Sequence, residues 1–394
     1  MLVTLAACGH TDLPATSAPP SAAATPTRDG FEVARSDDAR SIYVSADPLK
    51  LSYREFERTG LWSVCDYSDT TLCLQRYDGK NDSVWLVPVR AGTPKVILPH
   101  AVSGRRFWIS GVRVSDTWLA WEELGPGDDL VKDVPWRLYA APLRSGLKLG
   151  RARLVAQAST GGARRPLFDL DGSRLVWTSA TPTAPHRFDA RAVERDLASR
   201  REKTQTRLLY HSDGDLQTVT LKDGVAVVME IPDLPRPRAR FAVLRLGSGE
   251  RLAAIDVANE HPLSHWPAWR NGWLAWAPFA LPEAQFPELY VRNPAGQVWL
   301  VGHQASDPVF VGGYLFYTDN RGSRPWVVDI RALRLQDMTS FSLVSGMPGY
   351  GDWWHGGGFG APDVEHTFVA SDERSYYQGD KEMYATLVRI YQVD

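Results

Sequence analysis

The chain lacks the features that define several large classes of protein. It has no apolar run approaching the roughly 18 residues that a membrane-spanning helix requires. Neither sign of charge is in excess, because 44 lysines and arginines oppose 46 aspartates and glutamates, for a formal net charge of -2. Since a nucleic-acid-binding domain carries a basic face, we expect no nucleic-acid partner.

Local catalytic and metal-binding motifs are also missing. The sequence contains no H-E-x-x-H, no G-x-S-x-G, no G-x-x-x-x-G-K phosphate loop and no C-x-x-C pair. Asp169 and Asp171 provide too few oxygens for a calcium cage, so we interpret them as turn residues. His261 and His265 are spaced for a metal pair but have no third ligand nearby, which favours a structural role. The sequence therefore predicts no cofactor and no metal.

Aromatic residues and short apolar runs are what the chain does contain. Fifteen tryptophans against five methionines favour a sheet-rich fold. Seven short apolar units recur, each followed by a second strand and a polar turn, and the repeat length runs from about 41 to 56 residues, as expected for four-stranded blades. The first units are Thr71–Leu74, Trp118–Trp121, Ser173–Trp177, Val225–Met229, Trp273–Trp276, Tyr314–Tyr317 and Thr367–Ala370.

Two of these repeats resemble a known family. Pro166–Trp177 (PLFDLDGSRLVW) and Pro267–Trp276 (PAWRNGWLAW) are similar to the TolB-type (WD40-like) propeller repeat, P-x-[WF]-S-P-D-G-x-x-[LIV]-[AV]-[FW], although both lack its Ser-Pro. The resemblance implies an all-β fold, a β-propeller of about seven four-stranded blades over residues 31–394. Blade 7 lacks a fourth strand at the C-terminus, so we expect an N-terminal strand, Phe31–Arg35 or Ile42–Ser45, to close the ring.

One segment departs from the strand pattern. Residues 187–206 place Phe188, Ala192, Val193 and Leu197 near helical spacing amid charges of both signs. We expect a helical insertion in blade 3, with Arg207–Tyr210 as the second strand unit of that blade. Two roles are compatible with this composition: a solvent-exposed helix without a partner, and a helix that binds a partner.

The N-terminus resembles that of a bacterial lipoprotein. Leu5-Ala6-Ala7-Cys8 is similar to a lipobox, which implies a signal-peptide remnant at residues 1–7 and a diacylglycerol on Cys8. Only seven residues precede Cys8 and none is basic, so we expect a start codon further upstream. Residues 8–30 are rich in Ala, Pro, Ser and Thr, as expected for an extended tether. The predicted location is extracytoplasmic, lipid-anchored to a bacterial membrane.

The remaining cysteines fit that compartment. Cys65 and Cys73 flank a polar turn near Asp69, so they should face each other across a hairpin. In an oxidising compartment the pair should form a disulfide, whereas the alternative is a buried, reduced pair.

The segment 346–360, GMPGYGDWWHGGGFG, is the candidate ligand-binding loop. Seven of its fifteen residues are glycine, so we expect a loop and not a strand. Long loops in compact domains are often functional, and aromatic surfaces favour protein or glycan ligands. The candidate ligand-binding residues are Tyr350, Asp352, Trp353, Trp354, His355 and Phe359. The alternative is that the two tryptophans plug the channel mouth.

These patterns favour a non-catalytic binding or scaffold propeller for protein or glycan ligands. The alternative is an envelope enzyme, a glycan hydrolase or lyase, with its site at the channel mouth. Propeller enzymes draw single residues from several blades, so such a site need not leave a local motif. Convergent carboxylates and histidines in the channel would favour the enzyme.

Overall fold

The fold was analysed on a computed structural model of the chain. It describes residues 32–34, 39–77, 82–126, 134–158, 164–185, 187–199, 206–231, 239–257, 264–278, 288–320, 328–344, 353–355, 364–378 and 381–393.

The described residues form seven antiparallel sheets that follow one another along the chain, each with its first strand innermost. This arrangement is a seven-bladed β-propeller, and it confirms the all-β prediction. Four short strands precede the first blade: β1 (Glu32–Ala34), β2 (Arg40–Ser41), β3 (Tyr43–Val44) and β4 (Tyr53–Thr59).

The blades use the remaining strands in chain order. They are, in blade 1, β5 (Leu61–Tyr67), β6 (Thr71–Tyr77), β7 (Ser83–Pro88) and β8 (Lys95–Leu98); in blade 2, β9 (Trp108–Val114), β10 (Trp118–Leu124), β11 (Trp136–Arg144), β12 (Lys148–Leu149) and β13 (Arg153–Ala158); in blade 3, β14 (Phe168–Asp171), β15 (Arg174–Ala184), β16 (Arg187–Asp196) and β17 (Thr206–Ser212); in blade 4, β18 (Asp215–Lys222), β19 (Val225–Ile231), β20 (Ala239–Arg245) and β21 (Arg251–Val257); in blade 5, β22 (Ser264–Arg270), β23 (Trp273–Pro278), β24 (Leu289–Arg292) and β25 (Val298–Gly302); in blade 6, β26 (Ala305–Val311), β27 (Tyr314–Asn320), β28 (Val328–Arg334) and β29 (Thr339–Val344); in blade 7, β30 (Trp353–His355), β31 (Thr367–Gln378) and β32 (Lys381–Gln392).

The recurring aromatic units are the second strands of the blades. In blade 2, Trp121 lies opposite Tyr139 on β11, with ring centroids 5.6 Å apart and nearly parallel planes. In blade 5, Trp276 and Tyr290 repeat this stacked pair at 5.8 Å. Such cross-strand aromatic pairs stabilise a sheet beyond the area that they bury, so the tryptophan content follows from the repeat.

The hydrophobic core lies between the blades. One buried cluster joins blades 1 and 2, and others join 2 with 3, 3 with 4, 4 with 5 and 5 with 6, while the largest spans blades 6, 7 and 1. Each blade therefore buries both faces against its neighbours. The described part of the chain contains no helix with the length and hydropathy needed to span a bilayer.

An N-terminal strand closes the ring, as predicted, but it is neither of the two expected segments. β4 pairs antiparallel with β32 from Tyr53 opposite Tyr391 to Thr59 opposite Ala385. Its seven residues alternate in exposure, and Phe56 packs on the core shared by blades 6, 7 and 1. A closing strand must run along most of an outer edge, which the two-residue β3 does not.

The expected closing segments instead form an outer belt. β1, β2 and β3 add a short parallel strand to the outer edges of blades 4, 5 and 6, pairing with β21, β25 and β29. The chain thus passes along three consecutive blades before β4 closes the seventh. Parallel pairing covers edges that would otherwise offer unpaired backbone groups.

The helical insertion predicted for residues 187–206 is wrong. Arg187–Asp196 is strand β16, paired with β15 on one side and β17 on the other. Phe188, Ala190 and Ala192 are buried at alternate positions, a period of two that strands require. β16 is therefore the third strand of blade 3, and the segment around Arg207–Tyr210 is its outermost strand.

The predicted disulfide is confirmed. Cys65 and Cys73 are bonded, with Cα atoms 5.5 Å apart, and both are buried between blades 1 and 2. The pairing is not between directly opposite residues, because Asp66 faces Cys73 and Cys65 is the extra residue of a β-bulge in β5. The bulge turns the Cys65 side chain toward the core.

Candidate functional site

The seven inner strands give the propeller two chemically different ends. At the crossover end, the outer strand of one blade leads to the inner strand of the next; at the turn end, each inner strand turns back into the second strand. Register shifts interrupt the inner strands β5, β9, β18, β22 and β26. β-Bulges re-aim side chains and are frequent beside functional sites.

Blade 2 places a buried carboxylate at the crossover end. Ser110 is the bulged residue of β9, and its hydroxyl donates to Glu122 on β10. Arg165 Nε donates to Glu122 Oε2 at 2.7 Å. Burial raises the pKa of Glu122, while Arg165 and Ser110 act in the opposite direction. Among the described residues, Glu122 Oε1 has no hydrogen-bond partner.

Blade 4 repeats this arrangement around the neighbouring arginine. Arg164 pairs with Asp215, the first residue of β18, and the bulged residue Gln217 also donates to Asp215. Burial raises the pKa of Asp215 against the effect of Arg164. The Arg164 guanidinium carbon also lies 4.3 Å from the centroid of the Phe188 ring, a distance typical of cation–π contact.

The two arginines are consecutive, but they reach different blades. Arg165 binds blade 2 and Arg164 binds blade 4, from the crossover that leads into β14. Their carboxylate partners are buried, whereas the arginine side chains are 30% and 42% exposed. Buried carboxylates therefore fix two arginine side chains that stay partly exposed at the crossover end.

Blade 6 contributes a smaller polar cluster at the same end. Asp307 is one of two residues bulged out of β26, and its φ of 54° lies in the left-handed region. Ser306 Oγ donates to Asp307 Oδ2 at 2.7 Å, and Thr318 Oγ1 does so at 3.2 Å. A non-glycine residue held at positive φ is uncommon and often marks a functional site.

At the turn end, hydrogen bonds and ion pairs connect one blade to another. Asp169 on β14 is fully buried; its carboxylate accepts the N–H groups of Leu221 on β18 at 2.7 Å and of Leu170 at 3.0 Å. Arg113 Nε of blade 2 approaches Asp169 Oδ1 to 3.3 Å. Burial raises the pKa of Asp169, and Arg113 opposes that rise. Asp66 occupies the equivalent position in blade 1 and accepts the N–H of Val114.

These contacts correct the interpretation of Asp169 and Asp171 as turn residues. Both lie in β14, and the turn itself is Gly172–Ser173. Asp171 accepts the N–H of Gly224 at 3.1 Å, so both carboxylates connect blade 3 to blade 4. The turn pattern in the sequence did not reveal this, because the carboxylates of Asp169 and Asp171 accept hydrogen bonds from the neighbouring blade.

An ion-pair cluster crosses the turn end of the channel. Glu365, which precedes β31 of blade 7, pairs with Lys222 of blade 4 at 3.1 Å and with Arg270 of blade 5. Asp69 of blade 1 accepts the N–H groups of Glu365 and His366 at 2.7 and 2.9 Å. Because blades 4 and 7 lie on opposite sides of a seven-membered ring, these contacts bridge the channel.

The structure describes only three residues of the predicted aromatic loop. Trp353, Trp354 and His355 form β30, the innermost strand of blade 7, paired with β31. The expectation that this segment contains no strand is therefore wrong at these three positions, because pairing with β31 satisfies their backbone despite the flanking glycines. Tyr350, Asp352 and Phe359 lie outside the described residues, as do Cys8 and the tether.

Of the two histidines spaced for a metal pair, only one lies in the described residues. His265 lies on β22 with its backbone opposite Ala277, whereas His261 is outside the described residues. No group of three or more His, Cys, Asp or Glu side chains in the described ranges is arranged to hold a metal ion.

The arginines at the crossover end were missed from the sequence. Arg105-Arg106 lies in the connection into β9, and Arg164-Arg165 lies in the connection into β14, so the same dipeptide occurs in the connections into two adjacent blades. Comparing the connections between the repeats would have revealed this pattern.

Comparison with known proteins supports the fold. No protein-family model matches the sequence, and no curated protein matches it. The polysaccharide lyase Uly1 has 12% sequence identity and a TM-score of 0.53, over 88% of this chain and 100% of the lyase. The β-propeller domain of the Trilobed protease from Pyrococcus furiosus has 12% identity and a TM-score of 0.51, over 83% of this chain and 98% of that domain.

A puromycin hydrolase is similar at 13% identity and a TM-score of 0.50, over 85% of this chain and 53% of the hydrolase. At such identities these likenesses show the propeller fold alone. The TolB-type family and the lipobox remain predictions from the sequence.

Proposed function

We propose that this chain is a lipid-anchored, extracytoplasmic binding propeller that takes its ligand at the crossover end. The observation that carries the proposal is the pair Arg164 and Arg165, whose side chains are held by ion pairs with the buried carboxylates of Asp215 and Glu122. Guanidinium groups held in this way lose little freedom on binding. They connect three consecutive blades, so the site exists only when blades 2, 3 and 4 pack together.

The predicted aromatic loop supports the same end of the channel. Residues 345–352 connect β29, the outer strand of blade 6, to β30, the inner strand of blade 7. Both ends of this connection therefore lie at the crossover end, where the arginines are. Tyr350 and Asp352, proposed above as ligand-binding residues, belong to this connection.

The proposed location depends on the N-terminal segment. Leu5-Ala6-Ala7-Cys8 supports lipidation of Cys8, and the residues that follow have the composition of a tether. The disulfide between Cys65 and Cys73 is compatible with an oxidising compartment outside the cytoplasm.

Capture from cross-linked membranes tests binding and location together. The parent protein, expressed behind a complete lipoprotein signal peptide, should partition into detergent and retain an envelope protein or glycan. Cys8→Ser should release the protein into the aqueous phase. Arg164→Gln with Arg165→Gln should stay in the detergent phase but lose the captured material.

Arg174→Gln is the matched control for this experiment. Arg174 is 41% exposed and pairs with the buried Glu194 at 2.8 Å, but it lies at the turn end beside Gly172. This variant should retain the captured material. Equal capture by the parent and the Arg164 and Arg165 variant would refute the proposed site.

A second candidate function is an enzyme at the same end. Glu122 and Asp215 are buried carboxyls with raised pKa values, a property that general acids require. Conversion of captured glycan to shorter chains by the parent, abolished in Glu122→Gln, would establish this candidate. Unchanged glycan that stays bound would favour the binding propeller.

A further inference from the structure

The connections between consecutive blades, which lie at the crossover end, differ in charge. The connection into β9 contains Arg105 and Arg106, the connection into β14 contains Arg164 and Arg165, and neither contains an acidic residue. The connections into blades 4, 5 and 7 carry Asp213, Glu260 and Asp352 and no lysine or arginine. We call Arg105, Arg106, Arg164 and Arg165 the arginine rim.

The loop that carries Arg105 and Arg106 is fixed in place. The buried carboxylate of Glu123 accepts the N–H groups of Val102 and Ser103 at 2.6 and 2.8 Å. It also accepts Trp121 Nε1 at 2.9 Å. Gly104 follows with a φ of 103°, a conformation that favours glycine. The backbone leading to the two arginines is therefore ordered before any ligand binds.

The rim carries more positive charge than its partners neutralise. Arg164 and Arg165 are paired with buried carboxylates, whereas Arg105 and Arg106 are exposed and make no ion pair with any described residue. The chain as a whole has a net charge of -2. A local excess of this kind on a slightly acidic protein attracts anions to one place.

Aromatic rings accompany the arginines. Phe107 and Trp108 follow Arg106 directly and are half-buried. Arg137 from β11 lies over the Phe107 ring at 4.7 Å from its centroid, and Arg164 lies over Phe188. Rings that keep a partly exposed face can stack on the apolar face of a sugar, which a purely electrostatic site does not provide.

We propose that the arginine rim binds an anionic polysaccharide, with ligand carboxylates on the guanidinium groups and sugar rings beside Phe107 and Trp108. The planar guanidinium fork matches a carboxylate, and two arginine pairs on adjacent blades match a chain with repeated charges. A flat lipid surface would need a basic face around the whole mouth, which the acidic connections exclude. The inference rests on the proposed function, because it names the ligand class of the same end.

Binding of defined polymers tests the inference. Polygalacturonate should bind the parent protein, and its neutral methyl ester should not. Affinity should fall as salt is raised, because exposed charges carry the contact. Arg105→Gln with Arg106→Gln should weaken binding about tenfold, as expected for two exposed ion pairs, without changing the melting temperature.

Arg174→Gln with Arg245→Gln removes two exposed arginines at the turn end and should bind like the parent. Equal binding of the neutral ester, or an unchanged affinity in the Arg105 and Arg106 variant, would overturn the inference. Preference for anionic vesicles or for polyglutamate over polygalacturonate and dextran sulfate would overturn it as well.

The proposed function can be judged separately. If the protein captures envelope material through Arg164 and Arg165 but binds neither polygalacturonate nor dextran sulfate, the ligand class is wrong and the binding site stands. If neither capture nor polymer binding occurs, both are wrong.

Discussion

The two ends of the propeller use the same residue types for different purposes. At the turn end, charged side chains connect different blades, as Arg113 does with Asp169 and Glu365 does with Lys222. At the crossover end, Arg164 and Arg165 pair with buried carboxylates, and their side chains stay partly exposed. Arg113 and Asp169 are both buried, whereas the partly exposed Arg164 and Arg165 are the groups that we propose to contact a ligand.

The backbone differs between the ends in the same sense. Two hairpins at the turn end, Asp223–Gly224 and Asn271–Gly272, are short loops with positive φ at both residues, as type I′ turns require. The connections at the crossover end vary in length, from residues 213–214 and 303–304 to residues 99–107 and 159–167, and several meet inner strands interrupted by bulges. Rigid turns fix the strands, and bulged strands present polar side chains.

The largest effect that separates the ends should come from Asp169→Ala. The substitution removes the acceptor of two backbone N–H groups and leaves Arg113 buried without its carboxylate. We expect a loss of about 3–5 kcal/mol in the free energy of unfolding, measured by urea denaturation, with ligand capture retained at low temperature.

Asp171→Ala is the control, because Asp171 makes one hydrogen bond to Gly224 at a half-exposed position. It should cost no more than about 1 kcal/mol. Similar losses in both variants would show that the position in the ring determines stability, and not the buried hydrogen bonds and ion pair of Asp169.

A smaller effect should follow loss of the disulfide. Cys65→Ser with Cys73→Ser opens a short loop, and chain entropy predicts a loss of about 2–3 kcal/mol. Because Cys65 is the bulged residue of β5, this bulge serves stability, unlike those of blades 2 and 4. Thermal unfolding with and without reductant measures the effect, and a parent protein that is insensitive to reductant would contradict it.

The sequence predicted the repeat, the blade number, the closure by an N-terminal strand and the disulfide. These predictions succeeded because each depends on local spacing: tryptophan-rich second strands, two-residue turns, and cysteines across one hairpin. The helix proposed near Phe188 is wrong because Phe188, Ala190 and Ala192 are buried with a period of two, as a strand requires. The closing strand was missed because Tyr53–Thr59 is mostly polar.

The candidate site was less accessible from the sequence. Glu122 and Asp215 are separated by most of two blades, and only the packing of three consecutive blades brings both to Arg164 and Arg165. Each looks like an ordinary strand charge until its burial is known. The interblade ties of Asp66 and Asp169 depend equally on the neighbouring blade.

The smallest effect, which should appear as a dependence on pH, concerns Glu122→Gln at the crossover end. Glu122 has a raised pKa in the folded protein because of its burial, so the folded state binds its proton more tightly than the unfolded chain does. The resulting stability is fully present below the unfolded pKa near 4.5 and is lost as pH rises through the folded pKa. Near pH 4 the parent should therefore gain stability relative to Glu122→Gln, and that gain should vanish toward pH 8. At neutral pH the two should differ by no more than about 1 kcal/mol, because Arg165 is partly exposed and water can solvate it when the carboxylate is replaced by an amide. Urea denaturation of both proteins from pH 4 to 8 measures this difference, and a gap that widens in favour of the parent as pH rises would show that Arg165 outweighs the burial of Glu122.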